Sequence, residues 1–382
     1  MSEKSTRKSL DFNSSTRAHL MVASRGGSLV MTLLVCAAGA VHIIAAEPPA
    51  ETKRQRIEKL TDEIAKLHAA GKLEPALKKA EELVKTSPRD GRAHYGLAGL
   101  LSRLGRADDA LTALERAVKL HDVHPELMRR DDDFQSLRDR PRFAELVAAA
   151  EADLRRQQGQ AKAVWTVTLP REFDPWRPAP LIVALHGYGG RADAMAKLWT
   201  AAAESYGAIL VTPEGQVAAQ NAHAWGGAGE AQRSVLSAAG DTRRRFRIDP
   251  KRTVLTGFSQ GGTMTWEIAL STPRSFAAII PIAGPFNSQA SETFKSNKLV
   301  GLRVCAIVGG ADRNETVSSM RLASSMFERA GAKVDLRLFK GVGHDMPPEP
   351  DLVLLDALAF VWPSAETKDT PTTFPTGHRR GP

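Results

Sequence analysis

Cysteine is almost missing from this chain, with only Cys36 and Cys305 among 382 residues. A dense disulfide framework is therefore excluded, and stability has to come from a packed core. Cys305 lies in the apolar run "RVCAIVGG" and reads as a small buried hydrophobe. Aromatics are also scarce, at 6%, and no Lys/Arg stripe is interleaved with them. The net charge of +9 is carried partly by the ends of the chain, by Lys4, Arg7, Lys8, Arg17 and Arg25 and by Arg379 and Arg380. This pattern lacks the basic footprint of a nucleic-acid binder, so no nucleic-acid partner is expected. A hydrophobic content of 42% with 25% charge excludes wholesale disorder. The length has room for one large domain and a smaller one.

One long apolar run stands out, "SLVMTLLVCAAGAVHIIAA" (28–46), placed after Arg25. A basic start, an apolar stretch and small residues at Ala38–Ala40 or before Glu47 predict a secretory signal, with Met21 as an alternative start. The competing reading is an uncleaved anchor, since the run is about long enough to span a bilayer. Cys36 fits a lipoprotein acceptor poorly because Val35 precedes it. The expectation is a secreted or periplasmic protein, membrane-tethered at its N-terminus if the run is retained.

Residues 51–153 are rich in Ala, Leu, Lys, Arg and Glu at helical spacing, within a helical domain expected over 47–158. "GKLEPALKKAEELVK" from Gly71 aligns with "GRADDALTALERAVK" from Gly105, a period of 34. Small residues recur where two antiparallel helices would approach, and glycine recurs at the turn. The segment resembles about two tetratricopeptide repeats, followed by a capping helix expected from Pro141 to Leu154. The two uses open to it are a hairpin packed on the next domain and a groove for a protein or peptide partner.

From residue 159 to 362 apolar strands ("VWTVTL", "PLIVALHG", "GAILVTPEG", "RTVLTG", "FAAIIPIAG", "RVCAIVGG", "KVDLRLF") alternate with helical segments. These helices are expected at 192–205, 231–245, 261–271, 317–331 and 351–360. The alternation predicts an α/β class, a mostly parallel, doubly wound sheet. Residues 363–382 are polar and proline-bearing and read as a disordered tail.

Gly257-Phe258-Ser259-Gln260-Gly261 sits between a strand and a helix and fits the nucleophile elbow. There the hydroxyl projects from a turn too tight for flanking side chains. Serine needs a base, and only His344 and His378 follow it; His378 falls in the tail, which leaves His344 in "GVGHDMP". Between Ser259 and His344 lie six carboxylates: Glu267, Glu292, Asp312, Glu315, Glu328 and Asp335. Asp312 is best placed, after a strand's carboxyl end, with Glu315 the fallback. Asp345 adjoins the base, and neighbouring side chains diverge. Oxyanion donors are expected from the backbone of Gln260 and of Tyr188, with His186 shaping the loop that carries Tyr188. Trp225, Trp266 and Phe286 are candidate pocket residues or core.

The ordered set "LIVALHGYGG", "VTPEG", "IDPKRTVLTGFSQGG", "GGAD" and "GVGH" resembles the α/β-hydrolase superfamily. The resemblance is to the branch of carboxylesterases, acyl-protein thioesterases, feruloyl esterases and polyhydroxyalkanoate depolymerase-like proteins. It implies an eight-stranded-type sheet, no cofactor and a covalent acyl-serine intermediate. No metal site is expected, and the short sequence between the catalytic segments holds no long apolar insertion to act as a lipase lid, which favours a small or soluble ester. The same triad would serve a serine peptidase, and a scaffold with an inactive hydrolase domain is the third reading.

Overall fold

The computed structural model describes residues 34–35, 41–42, 51–219, 222–286 and 299–363. Two units are distinguished, residues 1–52 and the chain from Lys53 onward. In the first, Leu34–Val35 (β1) and Val41–His42 (β2) pair antiparallel. The rest of the expected leader, and the tail after Pro363 with His378, lie outside the described residues. No described helix is long and apolar enough to cross a membrane.

The second unit opens with helices α1 (Lys53–Ala69), α2 (Leu73–Thr86), α3 (Gly91–Arg103), α4 (Ala107–Lys119) and α5 (Pro125–Arg130). A 3-10 turn over Asp132–Leu137 and α6 (Pro141–Ala161) complete the helical region. The 34-residue period has a backbone cause. Gly71 and Gly105 adopt φ of 68° and 76°, left-handed turns that cost a side-chain-bearing residue far more. The period-related pairs Ala76/Ala110, Ala80/Leu114 and Leu83/Ala117 are all buried. Helix α6 continues past the expected end at Leu154, so the expected domain boundary at 158/159 falls inside it. Its last turns hold no apolar stripe, but Arg and Gln sustain a helix. Gln158 donates to the Trp165 carbonyl at 2.9 Å.

The sheet runs in the order β11-β10-β9-β8-β4-β5-β3. Its strands are β3 (Trp165–Thr168), β4 (Ala179–Leu185), β5 (Ile209–Pro213), β8 (Ile248–Phe258), β9 (Ala278–Ile282), β10 (Arg303–Gly309) and β11 (Lys333–Phe339). All neighbours are parallel except β3, which is antiparallel to β5. The expected eight strands are thus seven among the described residues. Sequence reading also missed a hairpin, β6 (Val217–Ala219) with β7 (Ala222–Ala224), whose strands are too short for an alternation signal.

Strand β4 explains why its sequence is apolar throughout. Leu181, Val183 and Leu185 pack into one core, while Ile182 and Ala184 pack into another. Helices α7 (Ala192–Ser205) and α11 (Pro350–Val361) cover the second face through Trp199, Leu354 and Leu358. Helices α8 (Ala228–Arg245), α9 (Gln260–Ser271) and α10 (Asn314–Arg329) cover the first. Cys305 is fully buried, and burial pushes its thiol up to about 12, so it behaves as the core residue expected.

The helical region and the sheet region share the first core. Trp176, on the segment between β3 and β4, packs so closely on α3 that a Cβ at Gly96 would lie 2.4 Å from its indole. His68 of α1 stacks near the same ring, with centroids 5.4 Å apart. Arg130 donates to the Leu169 and Pro170 carbonyls, each at 2.9 Å. The Arg245 side chain of α8 is fully buried, its Nε bound to both oxygens of Asp241 at 2.8 and 2.9 Å and its Nη2 to Asp153 of α6 at 3.2 Å. A third contact runs to the Val123 carbonyl. A cavity of about 580 Å³ remains beside this joint, lined by Ile64, Leu83, Tyr95, Phe173, Trp176 and Phe246 among others. Of the two expected uses of the repeats, packing against the next domain is thus realised.

Replacing Gly96 with Leu would drive the indole of Trp176 from its seat. The expected result is a destabilisation of roughly 1–3 kcal/mol, read as a lower melting temperature and faster proteolytic cleavage around residues 170–177.

A second outcome follows from the carboxylates beneath α1 and α3. Burial, reinforced by Asp133, pushes Asp131 up to about 6, while its oxygen accepts from the Tyr95 hydroxyl at 2.8 Å. His68 is raised by its hydrogen bond to Asp133. Between about pH 4 and 6 the folded chain holds a proton on Asp131 that the unfolded chain releases, so stability falls as pH rises through that window. The stability from His68 is complete below its unfolded value and is lost as pH rises through its folded one, which adds in the same direction. Asp131→Asn should raise the melting temperature at pH 7.5 and flatten the slope between pH 4 and 6 in thermal melts.

Candidate active site

Strand β8 ends at Phe258, and Ser259 turns the chain into α9 with φ 54° and ψ −117°. A side-chain-bearing residue in that region stores about 1–3 kcal/mol. Two bonds hold it there: the Ser259 N–H donates to the Ile282 carbonyl at 2.8 Å, and its own carbonyl accepts from Thr263 N–H at 3.0 Å. The flanking glycines are set by space. A Cβ on Gly257 would lie 2.4 Å from the Gly261 backbone, and one on Gly261 would lie 2.4 Å from the Leu185 carbonyl oxygen.

Asp312 and His344 follow the carboxyl ends of β10 and β11, whose loops are tied together. The Gly310 N–H donates to the Phe339 carbonyl and the Ala311 N–H to the Val342 carbonyl, both at 2.8 Å. Gly309 permits this crossing, since its Cβ would fall 2.2 Å from the Val342 oxygen. Sequence reading gave Gly309 no role.

The structure brings Ser259, His344 and Asp312 into one hydrogen-bonded chain. Ser259 Oγ lies 2.8 Å from His344 Nε2, and His344 Nδ1 lies 2.8 Å from Asp312 Oδ2. The Asp312 side chain is wholly buried and its Oδ1 accepts the Arg313 N–H at 2.7 Å, so both oxygens are engaged. An imidazole donating through Nδ1 to a buried carboxylate presents Nε2 as an acceptor to the hydroxyl, the arrangement that takes a proton from serine. The fallback Glu315 is exposed in the first turn of α10, and Asp345 is exposed and accepts the Met346 N–H.

Of the two expected oxyanion donors, Gln260 opens α9, where a first-turn N–H has no intrahelical acceptor. Tyr188 lies in the loop after β4, its side chain 61% exposed. Neither N–H has a hydrogen-bond partner among the described residues. The loop comes close to the nucleophile, since a Cβ on Gly187 would sit 3.3 Å from Ser259 Cβ. His186 is buried, its Nδ1 against the Gly187 carbonyl at 2.8 Å and its Nε2 accepting the Gly215 N–H at 2.9 Å. Burial lowers its pKa, consistent with a neutral ring.

The candidate pocket residues Trp225, Trp266 and Phe286 are buried in the core rather than forming an open wall. Trp266 donates to the Gly284 carbonyl at 3.1 Å. Trp225 proves to be a tie between elements, contacting His186 and Gln260. Glu214, which accepts the Ala192 N–H at 3.0 Å and approaches His186 Nε2 at 3.3 Å, was missed. No spacing in the sequence links these groups, so only coordinates pair them. Among the described residues no cluster of His, Cys, Asp and Glu is arranged to hold a metal ion.

Residues 233–351 match the phospholipase/carboxylesterase family, and residues 67–127 match the tetratricopeptide repeat family. The sheet-bearing region is of the α/β class, a mostly parallel sheet with helices on both faces. It follows a tetratricopeptide-like helical region. Similar curated proteins include poly(3-hydroxyalkanoate) depolymerase C of Paucimonas lemoignei, 33% identical over 126 residues, which are 30% of each chain. Another is the bifunctional acetylxylan esterase/xylanase XynS20E of Neocallimastix patriciarum, 29% identical over 35% of this chain and 19% of that one. The chain thus spans less than a third of the length of either relative. Among solved structures, esterase PE8 is 22% identical with a TM-score of 0.45, covering 52% of this chain and 97% of its own. The Bacillus cereus carboxylesterase is 15% identical with a TM-score of 0.43, covering 55% and 97%.

Gly261→Ala should force the end of β4 away from the elbow. The expected outcome is a destabilisation of about 1–3 kcal/mol or more, seen as a lowered denaturation midpoint, together with loss of whatever chemistry Ser259 performs.

Proposed function

We propose that the chain is a serine carboxylic-ester hydrolase acting on a small or soluble ester. The observation that carries this reading is the continuous hydrogen-bonded chain Ser259–His344–Asp312, with 2.8 Å at each link. The phospholipase/carboxylesterase family match and two relatives named for depolymerase and esterase activities support it.

In this mechanism His344 Nε2 takes the hydroxyl proton as Ser259 Oγ attacks the ester carbonyl carbon. The carbonyl oxygen becomes an oxyanion between the N–H groups of Gln260 and Tyr188. Asp312 orients the ring and stabilises the imidazolium. The alkoxide leaves with the proton from His344, giving an acyl-serine. Water, deprotonated by His344, then attacks the acyl carbon, and Ser259 recovers its proton as the acid departs.

The apolar run over 28–46 supports export to a secreted or periplasmic location. N-terminal sequencing of the mature protein should begin after Ala40 or Ala46; an intact N-terminus in membranes would mean a retained tether. The repeats support a protein or peptide partner as well as their packing role.

Ser259→Ala should lower kcat on a chromogenic ester by at least about 10³-fold while leaving the melting temperature within a few degrees. A fluorophosphonate probe should label the wild type and fail to label His344→Ala. Unchanged turnover by Ser259→Ala would overturn the mechanism. Faster cleavage of a matched amide than of the ester would make the enzyme a peptidase.

A further inference from the structure

The hydrolytic steps ask only for the backbone N–H of residue 260, which almost any side chain would leave in place. Yet both the oxygen and the nitrogen of the Gln260 carboxamide are engaged elsewhere. Its Oε1 accepts the Trp225 N–H at 3.1 Å and its Nε2 donates to the Trp225 carbonyl at 2.9 Å. A carboxamide is suited to this because it offers one donor and one acceptor side by side, as a neighbouring strand would.

The contact continues beyond Trp225. The indole Nε1–H donates to the His186 carbonyl at 2.7 Å, and the indole stacks on the imidazole with centroids 4.9 Å apart and planes at 30°. Because Nε2 of His186 accepts from Gly215, its Nδ1 carries the proton and donates to the Gly187 carbonyl at 2.8 Å. That same carbonyl accepts the Gly190 N–H at 3.0 Å. The Gly187 C=O and the Tyr188 N–H belong to one planar peptide unit, so pinning the oxygen fixes the direction of the N–H.

We propose that Gln260 is a positioning residue for the oxyanion hole: its side chain, through Trp225 and His186, aims the Tyr188 N–H at the carbonyl oxygen that its own N–H also binds. The inference rests on the esterase reading above. It makes the two donors a coupled pair, although Tyr188 and Gln260 belong to different elements. The circuit runs from Ser259 through Gln260, Trp225 and His186 to the Gly187–Tyr188 peptide and returns to the nucleophile, against which Gly187 packs.

Two variants test it. Gln260→Met keeps the backbone donor and the side-chain length but removes both contacts to Trp225. Trp225→Phe keeps an aromatic ring over His186 but removes the indole donor. Each is assayed on a chromogenic ester and on its thionoester counterpart, in which sulfur replaces the carbonyl oxygen and accepts hydrogen bonds poorly. The wild type should prefer the oxygen ester strongly. In both variants kcat should fall by about 10–100-fold with little change in KM, a fraction of the loss from deleting a donor outright. The oxygen-to-sulfur preference should shrink along with kcat, which a merely structural defect would leave in place. Thermal melts identify folded variants, and Trp225→Phe carries the test if Gln260→Met does not fold. Undiminished kcat in the folded variants, or a loss with an unmoved preference, would overturn the inference. Ser259→Ala runs in parallel. If it is inactive while both variants retain the wild-type preference, only the positioning role fails; if it retains hydrolysis, the esterase reading fails and the inference falls with it.

Discussion

The site depends on how closely three backbone segments approach at the elbow. Ser259 adopts its left-handed conformation only because its N–H reaches the end of β9 and the start of α9 closes on its carbonyl. Gly257, Gly261 and Gly262 each stand where a Cβ would collide with backbone, the last at 2.7 Å from the Ile282 oxygen. Packing at this density leaves no room for relaxation, so the strained serine is over-determined by its surroundings. The hydroxyl position is therefore a property of the sheet, set by strands β4, β8 and β9 together. His344 and Asp312 are delivered to it by β11 and β10, whose terminal loops are knitted to each other by backbone hydrogen bonds.

Those parts of the molecule whose physics is local were the legible ones. Apolar runs bounded by glycine mark the strands because both faces of the sheet are covered, as the two-sided burial of β4 illustrates. The period of the helical region is legible because Gly71 and Gly105 meet a backbone demand that recurs with it. Chain order, with His378 set aside in the polar tail, reduced the base to His344, and position at a strand end favoured Asp312 over Glu315. What stayed hidden arises from contacts between distant segments. Glu214, Gly215 and Trp225 meet His186 through a hairpin with strands of three residues, too short to carry a periodic signal. The Gln260 side chain was hidden differently: its backbone role was readable from the elbow, but the target of its carboxamide depends on where that hairpin folds back. The end of α6 was misjudged because its last turns are polar, and an apolar stripe was the signal being followed.

The helical region and the sheet region are joined by complementary means. Trp176 packs against α3 at Gly96, where no side chain stands in its way, a contact of shape. The Arg245 contacts with Asp241, Asp153 and the Val123 carbonyl are ionic and directional. Titration enters the same joint, because His68 lies between Trp176 and Asp133. The repeats are thus part of the packing of the sheet region, whether or not they also recruit another molecule.

Arg245 carries a consequence for the history of the two regions. Its guanidinium is shut off from water by elements of both, and two of its four acceptors come from the helical side. A sheet region released by itself would keep the Asp241 pair but lose the Asp153 and Val123 acceptors, leaving the guanidinium half-satisfied in a buried place or rehydrated at the expense of the fold around it. Separation of the two regions therefore carries a cost at position 245, which makes the fusion easier to keep than to undo.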